Sequence, residues 1–147
     1  MKVNLNIAVP AFVFWPVVLN PAKLTTPVHA VDWIPTICAL LDIPEAKDAR
    51  RDGMNISPLL LGENKPPLVN RELYWQGVHH KSAALRKGNC KLVIHRHNEK
   101  DKLELFDLST DPYEKNNLSE KEPSLVSKML KALVIQKKKD NDALPND

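Results

Sequence analysis

The chain has few of the residues that mark common catalytic and cofactor motifs. Of its 147 residues, only four are glycine and two are cysteine. It contains no glycine-rich phosphate loop, no glycine-flanked turn exposing a nucleophilic serine, and no helix with paired zinc-binding histidines. These absences argue against a nucleotide-binding protein with a phosphate loop, a serine hydrolase with a nucleophile turn, and a zinc protease with a two-histidine helix.

Long apolar runs and a strong excess of one charge are also missing. No apolar run is long enough to span a bilayer, so we expect no membrane partner. The net charge of +3 is small, and no arginine-rich stripe is present, so we expect no nucleic-acid partner. With 43% hydrophobic and 27% charged residues, the composition is that of an ordinary globular protein.

The two cysteines stand in unlike contexts. Cys38 lies in an apolar helical run and Cys90 in a strand-like run, so buried free thiols are the first expectation and a disulfide is the alternative. An apolar setting disfavours the thiolate form of Cys38, which makes it a poor nucleophile.

The first apolar segment admits two interpretations. Lys2 followed by the apolar residues 7–19 resembles the charged start and apolar middle of a signal peptide. Pro10 and Pro16, and the lack of a clear cleavage site, favour a strand followed by a loop instead. Residues 7–15 are continuously apolar, which is typical of a strand covered on both faces. Such a strand needs neighbours, and only six residues precede it here.

A buried helix and a short helical turn are predicted next. Asp32 can cap a helix over residues 32–41, whose first turn tolerates Pro35 and whose apolar residues surround most of its circumference. Residues 57–62 predict one helical turn, with Ser57 at its start and Gly62 at its end. The polar, proline-bearing residues 64–67 then predict a domain boundary.

Beyond this boundary the hydrophobic period changes to that of strands. We predict an antiparallel meander followed by an amphipathic helix over residues 123–137 that covers the sheet. The four predicted strands are residues 71–76, 82–86, 90–97 and 103–108.

Several polar side chains in this region could carry chemistry. His95 and His97 share one strand face, but two histidines without further ligands do not make a metal site. Arg86 and Lys91 flank a hairpin and could face an anion, although exposed strand positions are the expected reading. We therefore predict no catalytic, metal-binding or cofactor-binding residue in the chain.

Four blocks of the chain, taken in order, resemble the end of a sulfatase, especially of the arylsulfatase and N-acetylgalactosamine-sulfatase branch. The blocks are VPAFVFWP from Val9, VHAVDWIPTICALLDI from Val28, DGMNISPLLLG from Asp52, and a segment from Arg71 that ends in LFDLSTDPYEKNNL at Leu118. Each block is moderately specific, and their shared order makes the likeness strong.

This resemblance implies an α/β fold of the alkaline-phosphatase-like class and only its C-terminal fragment. Residues 1–63 would be the remnant of the large domain, 64–138 the antiparallel-sheet subdomain, and 139–147 a flexible tail. Complete sulfatases are expected to hold calcium and to use a formylglycine made from Cys or Ser in a Cys/Ser-x-Pro-x-Arg motif. Complete members are usually secreted, periplasmic or lysosomal, and the location of this chain stays unknown.

The motif that carries the nucleophile is not in this sequence. Cys38 is followed by Ala39-Leu40 and Cys90 by Lys91-Leu92, so neither cysteine begins it. The resemblance therefore predicts a C-terminal part that lacks the formylglycine and metal site, is inactive alone, and has the N-terminal catalytic half as a partner.

A second function belongs to a different class. The segment could be a non-catalytic module that binds sulfated glycans. Its substrate-side candidates are Trp75, His79 and His80, in and after the first strand of the meander.

Overall fold

The computed structural model describes residues 9–44, 52–63, 71–77, 81–96 and 100–139. The described residues fall into two compact units, residues 9–63 and residues 71–139. The predicted domain limits at 63/64 and 138/139 are not tested by this division and stay predictions. In the described part of the chain, no helix is both long enough and apolar enough to span a lipid bilayer.

The first unit is built around a helix and a loop that share one buried polar cluster. Helix α1 is Trp33–Leu40, preceded by a 3₁₀ turn at Ala30–Asp32, and helix α2 is Ser57–Leu60. The fully buried Asp32 carboxylate accepts hydrogen bonds from the backbone N–H groups of His29 (2.7 Å) and Met54 (2.9 Å). It therefore anchors the chain before α1 to the loop before α2.

Thr36 extends this cluster. Its hydroxyl donates to the backbone carbonyl of Asp32 at 2.6 Å and accepts from the backbone N–H of Ile56 at 3.0 Å. The loop must also approach very closely, since a Cβ added at Gly53 would lie 2.0 Å from the carbonyl oxygen of Val31. Asp32 thus holds a loop that lies 22 residues further along the chain, and its side chain does not cap α1.

Two expectations for the first unit need correction. The described residues 9–15 do not form a strand, and Phe12 and Phe14 are 87% and 75% exposed. Helix α1 was predicted to be buried all round, yet Ile34, Ile37 and the following Leu41 are exposed. A strand exists only when a neighbouring strand pairs its backbone. Among the described residues of this unit, no strand is present that could pair with residues 9–15.

The second unit is a four-stranded antiparallel meander with a helix on one face, as predicted. The strands are β1, Glu72–Gln76; β2, Ser82–Lys87; β3, Cys90–His95; and β4, Lys102–Asp107; the helix is α3, Pro123–Lys139. Helix α3 continues two residues beyond its predicted end. Gly88 has a φ of 57° and makes the tight turn between β2 and β3, a conformation that glycine adopts without steric cost.

Alternation along the strands gives the sheet two different faces. The face under α3 forms the main core, in which Leu85, Leu92 and Leu105 lie against Met129 and Leu133 of the helix. The opposite face has a smaller cluster of Ala84, Val93 and Phe106, against which Trp75 and Leu108 pack. This period-2 pattern is what fixes the register of the meander.

The turn after β4 closes the outer edge of the sheet. The Asn117 side-chain oxygen accepts the backbone N–H of Leu105 at 2.9 Å, and its amide donates to the Leu103 carbonyl at 3.3 Å. The backbone N–H of Leu118 then donates to the Leu105 carbonyl at 2.8 Å. These contacts occupy edge groups of β4 that would otherwise be free to pair with another chain.

We expect Asn117→Ala to destabilise the protein by about 1–3 kcal/mol, because it leaves the Leu105 N–H without its acceptor. Asn116→Ala is the matched control, since the hydrogen bond to Asp111 there uses only the Asn116 backbone N–H. Urea unfolding of both variants measures the difference. Equal stabilities for the two would contradict the role given to the Asn117 side chain.

Candidate functional site

The most unusual polar group in the second unit is a lysine buried in the sheet. Lys91 lies on β3 directly opposite Arg86 of β2, on the face that α3 does not cover. It is only 3% exposed, so the expectation of an exposed strand position is wrong for Lys91. A buried ammonium needs a counter-charge because desolvation of an unpaired ion is very costly.

Glu114 supplies that counter-charge. Its carboxylate accepts a hydrogen bond from Lys91 Nζ at 2.6 Å, and the two side chains are 4% and 11% exposed. Glu114 has a φ of 56°, in the left-handed region that non-glycine residues seldom occupy. The Asp-Pro turn of residues 111–114 thus adopts an uncommon backbone conformation that brings a carboxylate to the buried amine.

The turn is itself held by its first residue. Asp111 is buried, and its carboxylate accepts the backbone N–H of Asn116 at 2.7 Å. The sequence signal for this arrangement was present in Asp-Pro-x-Glu, but the pattern did not reveal which lysine the glutamate would pair with. The usual exposure of lysine led to the expectation of a surface position for Lys91.

Arg86 lies beside this ion pair and is half-buried. Its Nε donates to the Gly88 carbonyl at 3.0 Å. Burial lowers the pKa of Arg86, and the nearby Glu114 carboxylate opposes this shift. Arg86, Lys91 and Glu114, which we call the basic triad, therefore hold two positive charges and one negative charge.

Further ion pairs stand at the strand ends. Burial alone would raise the pKa of Glu104, but hydrogen bonds from Lys102 (2.6 Å) and His95 (2.9 Å) outweigh it and lower the pKa. Hydrogen bonds from Lys87 and Gln136 lower the pKa of Glu72 in the same way.

The substrate-side candidates are only partly visible. Trp75 lies on the same sheet face as the basic triad, half-buried against the small apolar cluster. His79, His80 and His97 lie outside the described residues, so their predicted roles stay untested. His95, the described member of the predicted histidine pair, contacts the Glu104 carboxylate through Nε2 at 2.9 Å.

The described residues do not fit a calcium site. No three histidine, cysteine, aspartate or glutamate side chains among them lie close enough to hold a metal ion together. Neither Cys38 nor Cys90 forms a disulfide in the structure, and both are half-buried. Burial and the charge of Asp107 raise the pKa of Cys90, so the thiol form is favoured there.

Comparison with known proteins defines the class. A family model described as N-sulphoglucosamine sulphohydrolase, C-terminal, matches residues 2–140. The chain belongs to this family of sulfatase C-terminal domains. It is also 28% identical over 138 residues to an N-acetylgalactosamine-6-O-sulfatase of Bacteroides thetaiotaomicron, covering 85% of this chain and 26% of that protein.

Solved structures show the same fold. Ps i-CgsB in complex with k-i-k-neocarrahexaose is 27% identical with a TM-score of 0.62, over 75% of this chain and 24% of that one. The Bacteroides thetaiotaomicron protein BT33336S-sulf is 26% identical with a TM-score of 0.56, over 73% and 24%. The alkaline-phosphatase-like fold class is confirmed, and the chain spans about a quarter of the length of these relatives.

We expect Lys91→Met alone to destabilise the protein by about 3 kcal/mol, because it leaves the Glu114 carboxylate buried and unpaired. The double variant Lys91→Met with Glu114→Leu should recover most of this loss, since neither charge then remains. Urea unfolding of the single and double variants is the measurement. A double variant no more stable than Lys91→Met would show that the ion pair is not the source of the effect.

Acid should destabilise the second unit through Glu72 and Glu104. Their pKa values lie below the ordinary value of 4.5 in the folded chain, so the unfolded chain takes up protons first as the pH falls. Stability present at neutral pH is therefore lost as the pH falls through the folded pKa values. The Tm of the chain, measured between about pH 7 and pH 3, should drop more than that of Glu72→Gln with Glu104→Gln. Parallel curves would contradict this assignment.

Proposed function

We propose that this chain is the C-terminal part of a sulfuric ester hydrolase acting on sulfated carbohydrate or aryl sulfate, and that it does not turn over substrate alone. The match to the sulfatase C-terminal family over residues 2–140 carries the proposal. The sequence also has no Cys or Ser followed by x-Pro-x-Arg, the motif from which the nucleophile of this enzyme class is made.

The chemistry of sulfate-ester cleavage supports this assignment. A hydrolase of this class needs a nucleophile and groups that stabilise the charge developing on the transferred sulfate. The described side chains do not bring together a metal-binding group, and the Cys90 thiol is held protonated by burial. We therefore assign the second unit a supporting role beside a catalytic site formed by other residues.

The exposed apolar surface of residues 9–43 indicates where such residues would pack. We call it the apolar surface; it is formed by Val9, Phe12, Phe14, Val17, Ile34, Ile37, Leu41 and Ile43. A monomer seldom exposes so many large apolar side chains within one segment of the chain, and exposed apolar patches are typical of protein interfaces. We propose that an N-terminal catalytic portion of a sulfatase, on the same or another chain, covers it.

The purified chain should show no hydrolysis of 4-nitrophenyl sulfate above the buffer blank. The physical reason is that a positioned nucleophile is required for the reaction and this chain does not encode its precursor motif. Hydrolysis is measured as the release of nitrophenolate, and a complete sulfatase is the positive control. Turnover that survives repurification and is lost on heat unfolding would overturn the proposal.

Self-association tests the apolar surface. We expect the chain to elute from size-exclusion columns as oligomers, and Phe12→Ser with Phe14→Ser to shift it toward the monomer. Tyr113→Ser is the matched control, because Tyr113 is an aromatic residue that is 74% exposed in the other unit. A wild-type chain that elutes as a sharp monomer would contradict the interface.

A second candidate function is a non-catalytic module that binds sulfated glycans. The position of Trp75 favours it, since the exposed part of a half-buried indole on the sheet face opposite α3 can stack on a sugar ring. Retention on chondroitin sulfate that falls with salt and is lost in His79→Ala with His80→Ala would support the site after β1. Retention unchanged by that double substitution would place binding elsewhere.

A further inference from the structure

The charges of the basic triad do not balance. Arg86 and Lys91 are direct cross-strand partners, and like charges in that position repel. Glu114 forms an ion pair with Lys91. One positive charge, that of Arg86, is left over.

The guanidinium of Arg86 has more N–H donors than hydrogen bonds. An arginine carries five N–H groups, and the structure gives Arg86 one hydrogen bond, from Nε to the Gly88 carbonyl. In the described part of the chain, no carboxylate lies within ion-pair distance of this guanidinium. Every buried side-chain nitrogen or oxygen there has a hydrogen-bond partner, so the remaining Arg86 donors reach the surface.

The surroundings of Arg86 favour a strong interaction with an anion. Leu73, its cross-strand partner on β1, is 5% exposed, and Lys91 on its other side is buried. A half-buried guanidinium in such a setting is less screened by water than a surface one. Its planar fork matches two oxygens of a sulfate group.

We propose that Arg86 binds the sulfate group of a sulfated sugar, with Trp75 beside it as the surface for the sugar ring. Trp75 pairs with Ala84, two residues before Arg86 on β2, so the two side chains are diagonal neighbours on one face, about 7 Å apart at their Cα atoms. The choice of a sulfated sugar as the ligand rests on the proposed function, whereas the excess positive charge of the basic triad is observed in the structure. This site shares Trp75 with the predicted substrate-side site but uses Arg86 in place of His79 and His80.

The test measures the Tm of the purified chain with sodium sulfate against sodium chloride at equal ionic strength. Sulfate in about tenfold excess over its Kd should raise the Tm by roughly 5 °C. In Arg86→Met the rise should fall to the non-specific stabilisation that sulfate gives any folded protein. It should persist in Lys87→Met, which removes the neighbouring cation on the opposite face. Arg86→Lys keeps the charge without the fork and should bind sulfate about tenfold more weakly.

N-acetylgalactosamine 6-sulfate and unsulfated N-acetylgalactosamine, titrated by calorimetry, distinguish the two sources of sulfate. Binding of the sulfated sugar alone, lost in Arg86→Met, supports the proposal. Binding of inorganic sulfate without the sulfated sugar would overturn it, as would an equal rise of Tm in Arg86→Met and wild type. None of these outcomes depends on nitrophenyl sulfate turnover, so a failure here is distinct from a failure of the proposed function.

Discussion

A buried ion pair between Lys91 and Glu114 links the centre of the sheet to the turn that follows it. The pair requires Glu114 to reach back over β4, and this requires the Asp-Pro turn to adopt its left-handed conformation. Once the turn is set, Asn117 and Leu118 reach the outer edge of β4 and close it. Helix α3 then begins at Pro123, in position to cover the other face.

The same ion pair sets the charge on the sheet face opposite α3. By neutralising Lys91, Glu114 allows a second cation, Arg86, to lie directly opposite in the next strand. The sheet unit therefore combines an apolar core with a half-buried cation, Arg86, that has no carboxylate within ion-pair distance among the described residues. The described part of residues 9–63 differs, because the buried carboxylate of Asp32 is hydrogen-bonded while many large apolar side chains are exposed.

Much of the sheet unit could be predicted from the sequence. Strand alternation, the tight turn at Gly88 and the stripe of α3 are local patterns, and the structure confirms each within two residues at the ends that it describes. The strand over residues 7–15 was predicted from the same kind of pattern and is absent from its described part. Hydrophobic periodicity indicates that a segment can form a strand. Whether the strand forms depends on another strand of the fold that pairs with it.

The candidate site was harder to predict from the sequence than the sheet. Lys91 and Glu114 are 23 residues apart, and nothing in their local patterns indicates that they meet. Burial of a lysine runs against its usual preference, so the sequence favoured exposure. The role of Asp32 was missed for a similar reason, since its carboxylate serves a loop 22 residues away.

The account rests on a difference between the two units: one has its own apolar core, and the other exposes apolar side chains that we propose are covered by a partner. Native-state hydrogen exchange of the purified chain measures this directly. We expect slow exchange in β2, β3 and α3, and exchange close to the unprotected rate in residues 9–28. Equal protection in both regions would contradict it.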